Sequence, residues 1–400
     1  MDHSFSPIYR SWARWCLFNL LLVALAGLVI RSKIVFPLPF IQQKNLLHGH
    51  SHFAFGGWVS AALMTAIIAM LHPEGPDKKM SRLFYLQMIA SYGMLLTFPF
   101  MGYKLPSIFF STVTIIVSYL FCYYCWKPIG QLPATVGYWI RTALLCNVFS
   151  SVGTFALAYL MATGSHSQEL TIGSLYFFLH FQYNGWFFFS CAGLFFYWLH
   201  GAGISMNANT SKLLWRLLAL SVIPAFFLST LWMAIPGWMY ALAVLAALTQ
   251  LVAVFIFLRE WFSMKIFPMI KSIARYCMVL SLSALTLKFV LQLLSCIPPF
   301  SIYAFGYRPL VIAFLHLVLL GFVSLFILGY FFQSGLLPVN EWMKKGIYVF
   351  TAGIILNEVL LILQGLGAIA YISIPYTNEM LWAIAIIMVS GVYMLNRRSA

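Results

Sequence analysis

Runs of about 20 predominantly apolar residues, separated by short polar segments, recur from one end of the chain to the other. A helix of about 20 residues is what crosses the roughly 30 Å hydrocarbon layer of a bilayer. Charged residues make up only 8% of the 400-residue chain, against 62% hydrophobic. A soluble domain carries about 25% charged residues and needs them to cover its surface. The pattern therefore specifies an all-α membrane protein, a bundle of transmembrane helices, and excludes a soluble fold.

Twelve such runs are expected, roughly at 15–36, 49–71, 82–102, 106–126, 138–162, 173–199, 213–235, 237–258, 272–296, 309–332, 346–370 and 377–395. The segments "HPEGPDKK", "KPIGQLP", "SCIPPFS" and "GLLPVNEW" punctuate them. Pro309 suits a first helical turn, and Pro224 is expected to kink the seventh run. With no soluble segment and no short-period repeat in view, residues 1–400 are read as one polytopic membrane domain. The first run lacks a small-residue cleavage site before it and reads as a retained span.

The loops give an orientation. With twelve crossings, 17 of the 23 Lys and Arg residues fall on the side of both termini and five on the other, Lys288 lying within a run. Basic loops stay in the cytoplasm, so both termini are expected there. This asymmetry also accounts for the net charge of +15 without a nucleic-acid partner; the basic loops face anionic lipid instead. The seven cysteines lie mostly in apolar runs, where Cys packs as a small hydrophobe. "CYYC" at Cys122–Cys125 has no second pair to complete a zinc or redox motif.

Histidine is the informative residue. "NLLHGHSHFAFGGW" puts His48, His50 and His52 at the start of the second run. His180 and His316 lie about seven residues inside the sixth and tenth. With even-numbered spans running inward, all three runs carry imidazole in the outer third of the membrane. Neutral imidazole is a ligand for iron, copper and zinc, and an ionisable residue inside a bilayer marks function by default. His48 and His52, four apart, share a helix face, whereas His50 points elsewhere, so one helix can serve two sites. A single such histidine can instead simply bond to a carbonyl on the next helix. His3, His72, His166 and His200 read as tail, helix-end or loop residues.

This constellation resembles subunit I of the heme–copper oxidase superfamily, in which spans 2, 6 and 10 carry heme and copper ligands. "LLHGHSHFAFGGW" is equally similar to the His-x-His opening of span 2 in the NnrS family of heme and copper membrane proteins. "HLVLLGFVSLFILGY" is similar to span 10 of either. The resemblance implies His48 or His50 as the second-span heme ligand, His316 as the tenth-span axial ligand and His180 as a copper ligand. His52 belongs to the same candidate set, and the metal could equally take His50 or His316. An electron donor, partner subunits and a bacterial plasma membrane are implied as well.

The chain also departs from the oxidases. His316 is followed by Leu317 and Val318 rather than a second histidine, and "KLLWRLLALSVIPAFFLSTLW" lacks the adjacent histidines near span 7. Tyr183 stands three residues after His180, not at the oxidase spacing. A one-heme, one-metal or sensor-like relative handling O2 or NO is therefore expected rather than a proton-pumping oxidase. The alternatives are a metal-ion or small-solute transporter with histidines along its path, and a structural subunit.

Other intramembrane polar residues are secondary candidates. Gln182, Tyr183 and Asn184 are placed to orient a ligand or to bond neighbouring helices. Lys288, Asn357 and Glu358 suggest an ion pair between Lys288 and Glu358 or a proton path. Arg308 and Lys44 are candidates for heme propionates.

Overall fold

The computed structural model describes residues 5–204 and 206–397. It is 84% helical, with no strand among the described residues. Every expected apolar run coincides with a helical stretch. These are α1 (Pro7–Val35), α2 (Gln43–Leu71), α3 (Lys78–Met101), α4 (Leu105–Trp126), α5 (Ala134–Ala162) and α6 (168–201). They continue with α7 (Ala208–Ser221 and Pro224–Thr230), α8 (Gly237–Ser263), α9 (Ser272–Leu294), α10 (Arg308–Ser334), α11 (Glu341–Ile369) and α12 (Thr377–Asn396). Ten are long and apolar enough to cross a membrane, and eleven if the two pieces of α7 form one span.

Local chemistry sets the boundaries. Asp77 caps α3 by accepting the Met80 amide at 2.7 Å, and Asn340 caps α11 by accepting the Met343 amide at 2.8 Å. Pro309 occupies the first turn of α10, as its fixed φ favours. Pro224 breaks α7 as expected. It lacks an N–H to continue the ladder, the Phe226 amide turns back to the Ile223 carbonyl, and the two pieces meet at 46°.

The chain separates into two compact units, one of Cys125–Phe326 and one of Asp2–Tyr124 with Ile327–Ala400. In the second unit, α11 and α12 pack through small residues that let the backbones meet. A Cβ on Gly391 would lie 2.5 Å from the Phe350 nitrogen, and one on Gly346 would lie 2.8 Å from the Gly391 oxygen. α12 is also tied to α1, where Trp382 Nε1 donates to Ser32 Oγ at 3.0 Å and Asn396 Nδ2 to the Leu17 carbonyl at 3.2 Å. In the first unit, Trp215 on α7 donates to Thr142 on α5 at 3.0 Å. A partly open cavity of about 90 Å³ there is lined almost wholly by apolar side chains, among them Phe188, Phe195, Trp261 and Phe322.

Three helices share a feature that hydropathy does not show. Each widens into a π segment just beyond its histidine: Ala54–Ser60 in α2, Phe181–Phe187 in α6 and Leu317–Ser324 in α10. A π segment loosens the carbonyl ladder, and buried carbonyls there need other donors. They get them from neighbouring helices. Asn19 Nδ2 of α1 donates to the Gly57 carbonyl at 2.6 Å, and Gln87 Nε2 of α3 to that of Gly56 at 3.0 Å. Ser281 of α9 donates to the Phe322 carbonyl at 2.8 Å.

Candidate histidine site

The second-run histidines open α2 in the second unit and diverge as their spacing requires. His50 faces α1, where its Nδ1 lies 3.1 Å from the Val23 carbonyl oxygen. A carbonyl only accepts, so Nδ1 carries the proton and Nε2 presents its lone pair. No partner for that Nε2 occurs among the described residues. Gly27 makes room for the ring edge, since a Cβ there would already lie 3.4 Å from Cε1. A carbonyl-held, singly protonated imidazole is the usual state of a metal-ligating histidine.

His48 and His52 face the α3–α4 turn. The His52 ring stacks on Phe98 with centroids 4.4 Å apart, and its Nε2 is hydrogen-bonded to the Tyr103 hydroxyl at 3.1 Å. The His48 ring meets the Tyr103 ring edge-on at 4.8 Å, and His48 Nε2 is buried without a partner. Lys44 is exposed one turn earlier, close enough for its charge to act on His48.

His180 lies in the first unit and is fully buried. Its Nε2–H donates to the Val222 carbonyl at 2.7 Å, and its Nδ1 accepts from Asn184 Nδ2 at 3.0 Å. Both ring nitrogens are thus used by the protein. The Val222 carbonyl is one that the break at Pro224 frees, so His180 serves the broken helix. Tyr183 reaches Ser229 on the other piece of α7. For His180, expected as a copper ligand, coordination would require one of these two hydrogen bonds to open. Gln182 donates to Asn147 at 2.9 Å and to Ser150 at 2.8 Å, which ties α6 to α5.

His316 closes the α-helical first part of α10 in the first unit and immediately precedes its π segment. Arg308 is exposed at the start of the same helix. Lys288 and Glu358, expected as a pair, belong to different units. The Lys288 ammonium lies 3.8 Å from the centroid of the Phe289 ring, and Asn357 Nδ2 donates to Glu358 at 3.1 Å. All seven cysteines are free thiols, those of "CYYC" included. Among the described residues no three His, Cys, Asp or Glu side chains converge as a metal site. The arrangement offers an oriented imidazole at His50 and a separate imidazole pair beside a tyrosine.

The sequence held a further signal, a histidine followed five and six residues later by Gly and an aromatic. It occurs as His52–Gly57–Trp58, His180–Gly185–Trp186 and His316–Gly321–Phe322. The glycines mark close packing within the π segments: a Cβ on Gly57 would lie 2.6 Å from the Phe53 ring, and one on Gly185 would lie 2.5 Å from Cys146 Cβ.

The chain matches no protein-family model, and no curated protein matches it either.

Proposed function

We propose that this membrane protein binds heme through His50 Nε2 and acts in redox or in handling a diatomic gas such as O2 or NO. The observation that carries the reading is the His50–Val23 hydrogen bond, which fixes the tautomer and leaves the coordinating nitrogen bare. A heme held by one imidazole keeps a coordination position for a gas and passes single electrons. The resemblance of "LLHGHSHFAFGGW" to the second span of heme–copper membrane proteins supports the same choice. Twelve crossings, with α6 as one of them and both termini in the cytoplasm of a bacterium, complete the proposal; the loop charges support it. A separate electron donor is part of the reading.

A transporter is the second reading, favoured by the 46° break in α7, since broken helices line many transport sites. The bonds from His180 and Tyr183 to the two pieces of α7 weigh against it, because they occupy the groups that a substrate would need.

The test is an absorption spectrum of the full chain, purified in detergent from heme-replete cells, oxidised and then reduced with dithionite. A Soret band that shifts on reduction is expected. Its absence would overturn the heme reading, and metal uptake by proteoliposomes would then decide for the transporter.

A further inference from the structure

We infer that His48, His52 and Tyr103 form a second site, for a divalent transition ion such as copper(II), on the face of α2 opposite to His50. The site does not depend on the heme reading, since it shares no side chain with it.

The donors are of the right kind and lie on rigid supports. His48 and His52 are one helical turn apart on α2, so their rings leave the same face. Tyr103 comes to that face because the chain reverses between α3 and α4. Gly102 makes the turn with φ +59°, in the left-handed region, and Asn45 of α2 packs where a Cβ would be, its Oδ1 2.7 Å from that position. Gly49 lets α2 approach α3 closely, since a Cβ there would lie 2.8 Å from the Pro99 ring. Phe98 then stacks on His52 and fixes the plane of its ring.

The spacing fits an ion. Two ligands about 2.0 Å from such an ion lie about 2.8 Å apart at the right angle of tetragonal copper(II) and about 3.3 Å apart at the tetrahedral angle of zinc. His52 Nε2 and the Tyr103 oxygen are 3.1 Å apart, so one separation suits a hydrogen bond without the ion and a shared ion with it. His48 supplies the independent observation. Its Nε2 is buried beside the Tyr103 ring with no partner, an unusual cost for a polar atom unless a ligand satisfies it. Two imidazoles and a phenolate make a nitrogen–oxygen donor set that suits copper(II) or zinc(II). The donor set needs no aspartate, glutamate or cysteine.

Binding is a ligand exchange without redox change. The ion loses water ligands and gains two imidazole nitrogens and the phenolate oxygen. The phenol proton goes to bulk water. Because the phenol must lose its proton to bind the ion, copper affinity rises with pH.

The experiment is a copper(II) titration of the full chain in detergent, after its heme content has been measured. Copper should bind one per chain, release about one proton and give a visible phenolate-to-copper charge-transfer band. Tyr103→Phe should abolish the band and weaken binding at least tenfold. His48→Gln and His52→Gln should each weaken it as much, and His166→Gln, in an exposed loop, should not. Helical circular dichroism confirms that each variant is folded, and either histidine variant serves if Tyr103→Phe is not. Absence of tight copper binding in the native chain would overturn the proposal. So would tight one-to-one binding in the His48→Gln/His52→Gln double variant, or a band that survives Tyr103→Phe. Heme loss with copper binding intact would instead count against His50 alone.

Discussion

His50 is held by Val23: the imidazole Nδ1 lies 3.1 Å from the carbonyl oxygen of a residue one helix away. That bond sets the ring's orientation and its tautomer together. It also distinguishes His50 from His180, whose two nitrogens are both bonded within the protein. Two histidines that look alike in sequence therefore have different chemistry. One presents a lone pair, and the other completes the hydrogen bonding of a broken helix.

His180→Leu should destabilise the protein without changing its cofactor. It leaves the buried Val222 carbonyl without its donor and Asn184 without its acceptor. Such a loss costs about 1–3 kcal/mol. The thermal midpoint in detergent should fall, while heme per folded chain stays at the native level. A fall in heme with the midpoint unchanged would return His180 to the ligand set.

Asn19→Leu should weaken the packing of α1 on the π segment of α2. Asn19 is fully buried, donates to the Gly57 carbonyl at 2.6 Å and accepts from the Tyr92 hydroxyl at 2.6 Å. Leucine replaces neither bond, and an orphaned buried group costs about 1–3 kcal/mol. Thermal unfolding followed by circular dichroism in detergent should show a clear loss. An unchanged midpoint would mean that the π segment does not depend on this donor.

Two glycine-to-alanine substitutions should separate close backbone packing from mere helix propensity. Alanine favours a helix over glycine by about 1 kcal/mol. At Gly173 a Cβ meets only the end of the flexible Met233 side chain, 3.4 Å away, so the gain should survive. At Gly391 it meets the Phe350 backbone at 2.5 Å, which cannot step aside. Overpacking of this kind costs about 1–3 kcal/mol, so Gly391→Ala should lower the midpoint and Gly173→Ala should not. Equal effects would contradict the close approach of α11 and α12.

Much of this architecture is legible in the sequence because hydropathy and proline act locally. Apolar runs coincide with helices, Pro309 starts α10 and Pro224 breaks α7, each from the chemistry of a few neighbouring residues. The divergence of His50 from His48 and His52 is also legible, since it follows from helical periodicity. The state of each imidazole is not, because it depends on helices distant in sequence. Val222 lies 42 residues from His180, and Tyr103 lies 51 residues from His52. The expected pairing of Lys288 with Glu358 rested on the cost of isolated charge alone, which names no partner. The π segments left a trace in the repeated histidine–glycine–aromatic spacing, which hydropathy averages away.

The most direct test of the central claim is chemical rescue of His50→Gly. The variant keeps α2 and the Val23 carbonyl but lacks the ligating ring. The account predicts that it purifies folded with its Soret band lost or shifted, and that free imidazole added during heme loading restores the native spectrum. A His50→Gly protein with native heme content and an unaltered spectrum, needing no imidazole, would contradict it.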